Sequence, residues 1–202
     1  MPKSAAFKST YEKLPRSFYA RPTLEIAPDL LGKHLVYNSP QGRLSARLVE
    51  VEAYIGDNDP ASHSYRGPTR RNAVMFGPPG YSYVYFVYGM YFCLNFVTEA
   101  AGTGAAVLIR AAEPDEGMEI MKRYSPRNAH TSLLSGPGKI CRAFGLTREH
   151  NGLDLTGDRL YVEDRYVTVD RITQTTRVGV KAGAGLPWRF YDSDSEAVTK
   201  PR

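Results

Sequence analysis

Only two cysteines, Cys93 and Cys141, occur in this chain of 202 residues, and they lie far apart. That excludes a disulfide framework and a cysteine metal cluster, leaves room for one bridge at most, and points to a reducing, intracellular compartment. No apolar run approaches the roughly 18 residues of a membrane-spanning helix, so no membrane segment is expected. The opening MPKSAAFKSTYEKLPRS lacks the apolar stretch of a secretory signal. His34, His63, His130 and His150 show no metal-ligand spacing.

Several chemical motifs are missing as well. A P-loop needs a glycine five residues before its Gly-Lys pair and a Ser or Thr after it. Around Gly138-Lys139 those places hold Leu133 and Ile140. Gly102-Thr103-Gly104 runs on into Ala105, Ala106 and Val107, an incomplete dinucleotide fingerprint. No His-x-Glu with a Cys-x-x-Cys is present, which argues against a zinc deaminase. No Gly-x-Ser-x-Gly elbow occurs.

What the chain does have is tyrosine and positive charge. Fourteen tyrosines against one tryptophan supply flat rings with polar tips, which stack on bases and tolerate water. The formal charge of +5 suits a polyanion partner, and equally a basic soluble protein without one. A hydrophobic content of 42% at this length supports one core and one domain.

Residues 1–17 carry Lys3, Lys8, Lys13 and Arg16 with little periodicity, and are expected as a mobile basic arm. Residues 18–192 are expected as the folded domain and 193–202 as a mobile tail. Thr23 is placed to cap a short helix ending at Leu30-Leu31-Gly32, with Pro28 inside it. His34–Tyr37 and Arg43–Tyr54 alternate as strands around Ser39-Pro40-Gln41-Gly42, a hairpin. Asp59-Pro60 predicts a cap and a helical turn over Ala61–Ser64 that carries His63. Arg66, Arg70 and Arg71 form a basic loop. A tyrosine strand follows, and Tyr88-Gly89 reverses it into Tyr91–Val97, because glycine reaches the positive φ of a tight hairpin. Val107–Ala111 reads as a strand with Arg110 at its end. Pro114–Arg123 reads as a helix, acidic in its first turn and basic in its last. Residues 135–141 open another helix stopped by Gly145, and Lys139 at its start suits either a phosphate seat or an exposed lysine. Residues 160–169, 177–180 and 188–191 read as strands.

One stretch is inconsistent with itself. Period two puts Leu44, Ala46, Leu48, Glu50, Glu52 and Tyr54 on one face of a strand, leucines and carboxylates together. Such conflicts concentrate at functional sites. Glu50 and Glu52 would have Cα atoms about 6.6 Å apart. Inverting glycosidases hold two carboxylates about 6.5–9.5 Å apart, so glycosidic hydrolysis is within reach. On spacing alone either glutamate can be the base. A cage of tyrosines beside it favours a flat leaving group, and a cationic one more, since ring quadrupoles attract cations. The basic loops suit phosphates without reading sequence. A bulky tyrosine at a hairpin tip, Tyr88, suits insertion where a nucleotide has been flipped out. Two other readings remain: a non-catalytic nucleic-acid-binding module with a tyrosine stacking platform, and a glycosidase acting on free nucleosides. The first gives no reason for a carboxylate among the rings, the second none for the tip tyrosine.

The pieces RLVEVEAYIG (47–56), His63, MFGPPGYSYVYFVYGMYFCLN (75–95), VLIRAAEP (107–114), SGPGK (135–139), RVGV (177–180) and WRFY (188–191) resemble, in this order, the alkyladenine (3-methyladenine) DNA glycosylase family. The likeness covers about residues 17–192. It implies an α+β fold: a single mixed domain with a curved antiparallel β-sheet, surrounding helices and a protruding β-hairpin. It implies a monofunctional base excision repair enzyme, acting on alkylated or deaminated purines in double-stranded DNA; flipping by one pocket needs only a monomer. It further implies chromosome association, with no metal, no cofactor, no lysine Schiff base and no membrane. By resemblance Glu52 is the base that activates water, and Arg110 and the backbone of Val178 help hold that water. Tyr54, His63 and Tyr85 wall the flipped base, and Asn95 opposes the amino group of guanine. Tyr88 intercalates with Met90 beside it, and Arg71 and Lys139 lie against DNA. The family pattern selects Glu52 and leaves Glu50 in support. Arg70 departs from it, standing where a proline is expected.

Overall fold

The computed structural model describes residues 11–126 and 132–199. Everything in it is arranged about β3 (Gly42–Ile55), a strand of 14 residues. β2 (His34–Ser39) pairs with its first half through the two-residue turn at Pro40-Gln41, the expected hairpin. β6 (Ala105–Glu116) runs antiparallel along its other edge. Beyond β6 lie β5 (Tyr91–Thr98) and β4 (Ser82–Val87), and beyond β2 lie β7 (Leu160–Asp164) and the short β1 (Glu12–Lys13). Where β2 leaves β3, β9 (Arg189–Asp192) takes its place, pairing Glu50 with Tyr191 and Glu52 with Arg189, and β8 (Ile172–Thr175) pairs β9 in turn. Among the described residues the result is one open, antiparallel nine-stranded sheet in a single mixed domain.

Helices α1 (Arg16–Tyr19), α2 (Thr23–Asp29), α3 (Met118–Tyr124) and α4 (Pro137–Phe144) share one core with the sheet. Tyr19, Ile26, Met121 and Phe144 meet Leu35, Leu48 and Ile109 there, all essentially buried. Each such side chain contributes about 1.5–3 kcal/mol. α4 is bounded as its residues dictate. Pro137 opens it behind Gly136, and Gly145 closes it in the left-handed region at φ 67°. Gly145 N–H donates to Arg142 O at 3.0 Å and Leu146 N–H to Cys141 O at 2.8 Å, so the last carbonyls keep partners. Among the described residues no helix is long and apolar enough to cross a membrane.

Several local expectations are corrected. Residues 114–116 are strand, not helix: Pro114 opposes Ala46 and Glu116 opposes Ser45. Arg43 and Arg165 hold the Glu116 carboxylate, so tertiary pairing overrides a helix-forming composition. Gly117 then turns the chain at φ 77°, where a Cβ would sit 2.6 Å from Arg43 O, and α3 begins only at Met118. Thr23 is the first residue of α2 rather than its cap, and its N–H donates to the Glu99 carboxylate at 3.0 Å. Residues 61–64 form turns, not a helix, although Asp59 does accept from Ala61 N–H at 3.0 Å. Residues 177–180 are irregular, and the strand in that region is β8.

At the ends, residues 1–10 of the expected arm and 200–202 of the expected tail lie outside the described residues. Lys13 pairs with Glu163, Leu14 is buried, and at the other end Ala197 is buried.

Candidate active site

The conflict in β3 is resolved by a bulge. Leu48 opposes Ala112, Glu50 opposes Ala111 and Val51 opposes Ile109, so Val49 and Arg110 are each one residue extra. Leu44, Ala46 and Leu48 face the main core before this point, and Val51 and Ala53 face it afterwards. Val49 instead joins a small separate cluster with Ala111 and Ala197. The alternation therefore changes phase, and Glu50, Glu52 and Tyr54 turn to the face opposite the leucines. β6 changes phase with it, which brings Arg110 to the same side. Bulges next to active sites re-aim side chains in this way.

The two glutamates are both fully buried, and their surroundings differ. Around Glu50, Oε1 accepts from Arg110 Nε at 3.1 Å and Arg189 Nε at 2.6 Å, and Oε2 accepts from Thr199 N–H at 2.7 Å. Thr199 Oγ1 stands 2.6 Å from both oxygens. Glu52 is more lightly held. Val178 N–H donates to Oε1 at 2.7 Å, and Oε2 accepts from Tyr54 OH at 2.8 Å and Arg110 Nη1 at 3.4 Å. A carboxylate offers about four acceptor positions, so these three donors leave it one. Burial lowers the proton affinity of the Arg110 guanidinium, but Glu52 and Glu50 outweigh it and hold the pKa above its ordinary value.

Tyr54, Arg110 and Val178, the three donors to Glu52, also line a cavity of about 400 Å³. Glu52, itself fully buried and not a lining residue, is thus held by three residues that are. The size falls within the usual range of small-molecule sites. Tyr83, Tyr85 and His63 form the walls: His63 and Tyr85 rings meet edge to face at 4.5 Å between centroids, and Tyr83 and Tyr85 stack at 5.4 Å. His63 Nδ1 is 3.0 Å from Tyr83 OH, and Asn72 Nδ2 donates to His63 O at 2.8 Å, fixing the loop. His63 is exposed as a residue, yet its ring is desolvated by these neighbours, and with the Arg71 charge nearby its pKa is lowered. Burial pushes Tyr83 up to about 12 and Cys93 up to about 11, and raises Tyr54 and Tyr85 further, so at neutral pH every one of these groups keeps its proton to donate. Asn95, opposite Tyr83 in the ladder, is buried, donates Nδ2 to Tyr83 O at 3.0 Å and lines the cavity.

The β4–β5 hairpin projects beside the cavity mouth. Tyr88, Gly89 and Met90 make its three-residue loop between the paired Val87 and Tyr91, with Tyr88 at φ 52° and Gly89 at φ 66° in the left-handed region. Tyr88 is 83% exposed and Met90 61%. Tyr88 lines the cavity; Met90 stands outside it. Arg71 packs over the Tyr85 ring at 5.6 Å and donates to Phe86 O at 3.1 Å. Lys139 donates to Ser132 O at 3.0 Å and lines a wider adjoining cavity of about 820 Å³, which shares Tyr88, Arg110, Val178 and Gly179 with the first. Arg70 is exposed.

Residues 17–196 match the family described as methylpurine-DNA glycosylase. The chain belongs to that family. Over 192 residues it is 56% identical to a protein of Methanocella arvoryzae, covering 93% of this chain and 96% of the relative. Relatives from Alkaliphilus oremlandii (47% identical over 202 residues) and Chlorobium phaeobacteroides (48% over 190) cover 93% of this chain, and 99% and 96% of their own. All three bear the name "Putative 3-methyladenine DNA glycosylase". As a family member the protein is a DNA glycosylase, a hydrolase of N-glycosyl bonds.

This glycosylase assembles at its site four residues that sequence reasoning did not single out for it: Asp59, Arg177, Thr199, and Arg189, which holds Glu50. Asp59 and Arg177 form an ion pair with both side chains fully buried. Thr199 joins the Glu50 cluster from the expected tail. Asp59 carried a capping signal and Arg177 stood beside Val178 in RVGV, but nothing local joins residues 118 positions apart. Among the described residues no group of three or more His, Cys, Asp or Glu could hold a metal ion.

Proposed function

We propose that the protein excises alkylated and deaminated purines from duplex DNA, flipping the damaged nucleotide into the tyrosine-lined cavity and hydrolysing its N-glycosidic bond with a water activated by Glu52. The observation that carries this reading is the asymmetry of the two carboxylates. Glu50 is saturated by Arg110, Arg189 and Thr199, whereas Glu52, held by three residues that line the cavity, keeps an acceptor position.

The flipped base lies among Tyr54, His63 and Tyr85. Cation–π attraction favours a cationic base by about 0.5–2 kcal/mol per ring contact. A normal purine is neutral and well paired, so it flips rarely and leaves slowly. Water bound to Glu52, beside Val178 N–H and Arg110, attacks C1′ of the deoxyribose. The water oxygen bonds to C1′, its proton passes to the Glu52 carboxylate, and the C1′–N pair departs with the base. A cationic base leaves neutral, so it needs little acid assistance. Asn95 opposes the exocyclic amino group of an intact guanine. Tyr88 fills the space the flipped nucleotide vacates, with Met90 beside it. Arg71 and Lys139 meet phosphates, which positions the duplex without reading its sequence. One cavity serves one flipped base, so a monomer suffices, acting inside the cell on the chromosome.

Single-turnover release of base from a duplex carrying one hypoxanthine or ethenoadenine tests the reading. Wild-type protein releases the base, and Glu52→Gln binds the duplex but slows release by about 10²–10⁴-fold, the usual worth of a general base. Undiminished release by Glu52→Gln would place the base elsewhere. Duplex binding without release by the wild type would favour a non-catalytic binding module.

A further inference from the structure

We infer that Arg177 is a positioning residue for excision, setting the Val178 N–H against Glu52 and both flanking walls of the base cavity through one buried guanidinium. The inference rests on the excision chemistry proposed above.

Val178 lies on residues 176–188, a stretch without regular secondary structure. An irregular loop holds a backbone donor to hydrogen-bond tolerance only if something rigid anchors it. Arg177 is that anchor. Its Nη1 and Nη2 reach Asp59 Oδ2 at 2.5 Å and Oδ1 at 2.7 Å, a two-toothed pairing that fixes the plane of the guanidinium. Nη1 also donates to Ala53 O at 2.9 Å, tying the loop to β3 one residue from Glu52. The guanidinium stands 4.6 Å from the Tyr54 ring and 5.2 Å from the Trp188 ring, so it sets the tilt of Tyr54 as well. Asp59 in turn accepts from Ala61 N–H at 3.0 Å, at the head of the turn that carries His63. One cation therefore joins the loop of the Glu52 donor, the strand of Tyr54 and the loop of His63.

Energy alone does not account for such a pair. Both side chains are fully buried, and replacing a buried ion pair with apolar groups of similar volume is often neutral or stabilising. What the pair supplies is a fixed geometry. Lysine at this position would keep the charge for Asp59 but lose the planar fork, and with it the simultaneous hold on Asp59 and Ala53.

The test compares wild type, Glu52→Gln and Arg177→Lys on duplexes carrying hypoxanthine or 7-methylguanine. It measures single-turnover release, affinity for a duplex with an abasic-site analogue, and thermal melting. Arg177→Lys should slow release by about 10- to 100-fold, the scale of a misplacement near 1 Å. Duplex affinity should be unchanged, with the larger loss on neutral hypoxanthine, which depends more on an aligned water than a cationic leaving group does. Asp59→Asn, which keeps one acceptor for the guanidinium, should show the same split and decides the matter if Arg177→Lys does not fold. Release at the wild-type rate, with Glu52→Gln still inactive, overturns the inference alone. Loss of release, affinity and melting temperature together makes the pair merely structural and also overturns it. No release by the wild type overturns the excision reading, and this inference with it.

Discussion

Replacing Glu50 by Gln should damage the fold more than the chemistry, the reverse of Glu52→Gln two residues on. Glu50 is fully buried between Arg110 and Arg189, whose side chains are 9% and 5% exposed. Its oxygens also take the Thr199 N–H and hydroxyl. A glutamine cannot serve this site. One of its ends is a donor, and whichever way it turns that end meets a guanidinium or an N–H. Removing one partner of a buried pair costs about 3–5 kcal/mol. Arg110 keeps Glu52 at 3.4 Å, which argues for about 3 kcal/mol, the low end of that range. For a chain of about this size each kcal/mol shifts Tm by about 2–4 °C, so Glu50→Gln should melt about 6–12 °C early. Glu52→Gln leaves Arg110 paired to Glu50 and lets the amide oxygen keep one of its donors. Its cost is about 1–2 kcal/mol, with release slowed by about 10²–10⁴-fold. Calorimetry and single-turnover assays well below both transitions would show Glu50→Gln the less stable and the more active of the two. Wild-type stability in Glu50→Gln combined with abolished release would refute the assignment, because Glu50 would then act in the chemistry.

Tyr88→Ser should weaken binding to a duplex containing an abasic-site analogue by about 10- to 100-fold, the worth of one stacked ring. Equal affinity in a fluorescence titration would remove Tyr88 from the flipping step. Asn95→Ser should raise release of guanine-derived bases by about tenfold, as relief of about 1.4 kcal/mol would. An unchanged rate on those bases would mean that Asn95 does not discriminate. Stability should also depend on His34, whose ring is buried with Nδ1 unpartnered in the structure. Burial first, then Arg165, lowers its pKa from 6.5 to about 4, against the opposing pull of Asp115 and Glu163. Between those values the unfolded chain binds a proton that the folded one refuses. His34 therefore costs nothing above about pH 6.5, and stability is lost as pH falls toward 4, by about 3 kcal/mol in all. Urea melts of His34→Phe at pH 4.5 and 7 should show a shallower pH dependence than wild type; equal slopes would refute this.

What could be read locally was read well, and the reason is local chemistry. Pro40-Gln41 between alternating strands, Tyr88-Gly89 at a hairpin tip, and Pro137 with Gly145 around α4 each specify their own backbone. Pro114–Glu116 shows the limit. Acidic residues ahead of Lys122 and Arg123 look like a helix start, but Ser45, Arg43 and Arg165 claim them for the sheet, and those partners are 49–73 positions away. The two glutamates show the same limit at the site. Spacing makes them equivalent, and the difference lies wholly in what arrives from Arg110, Val178, Arg189 and Thr199.

The sharpest clue was the strand that contradicted itself, with leucines and carboxylates in one period-two register. A regular strand would either bury Glu50 and Glu52 in the main core or expose Leu44 and Leu48, and each choice would cost several kcal/mol. The extra residue at Val49, matched by Arg110 on β6, removes the conflict by changing phase between the two sets. It also brings the one cation that both carboxylates need to the face they now share. A single irregularity thus both reconciles the pattern and supplies the partner. A sequence conflict of this kind marks a place where the backbone must depart from regularity, and where the site is to be sought.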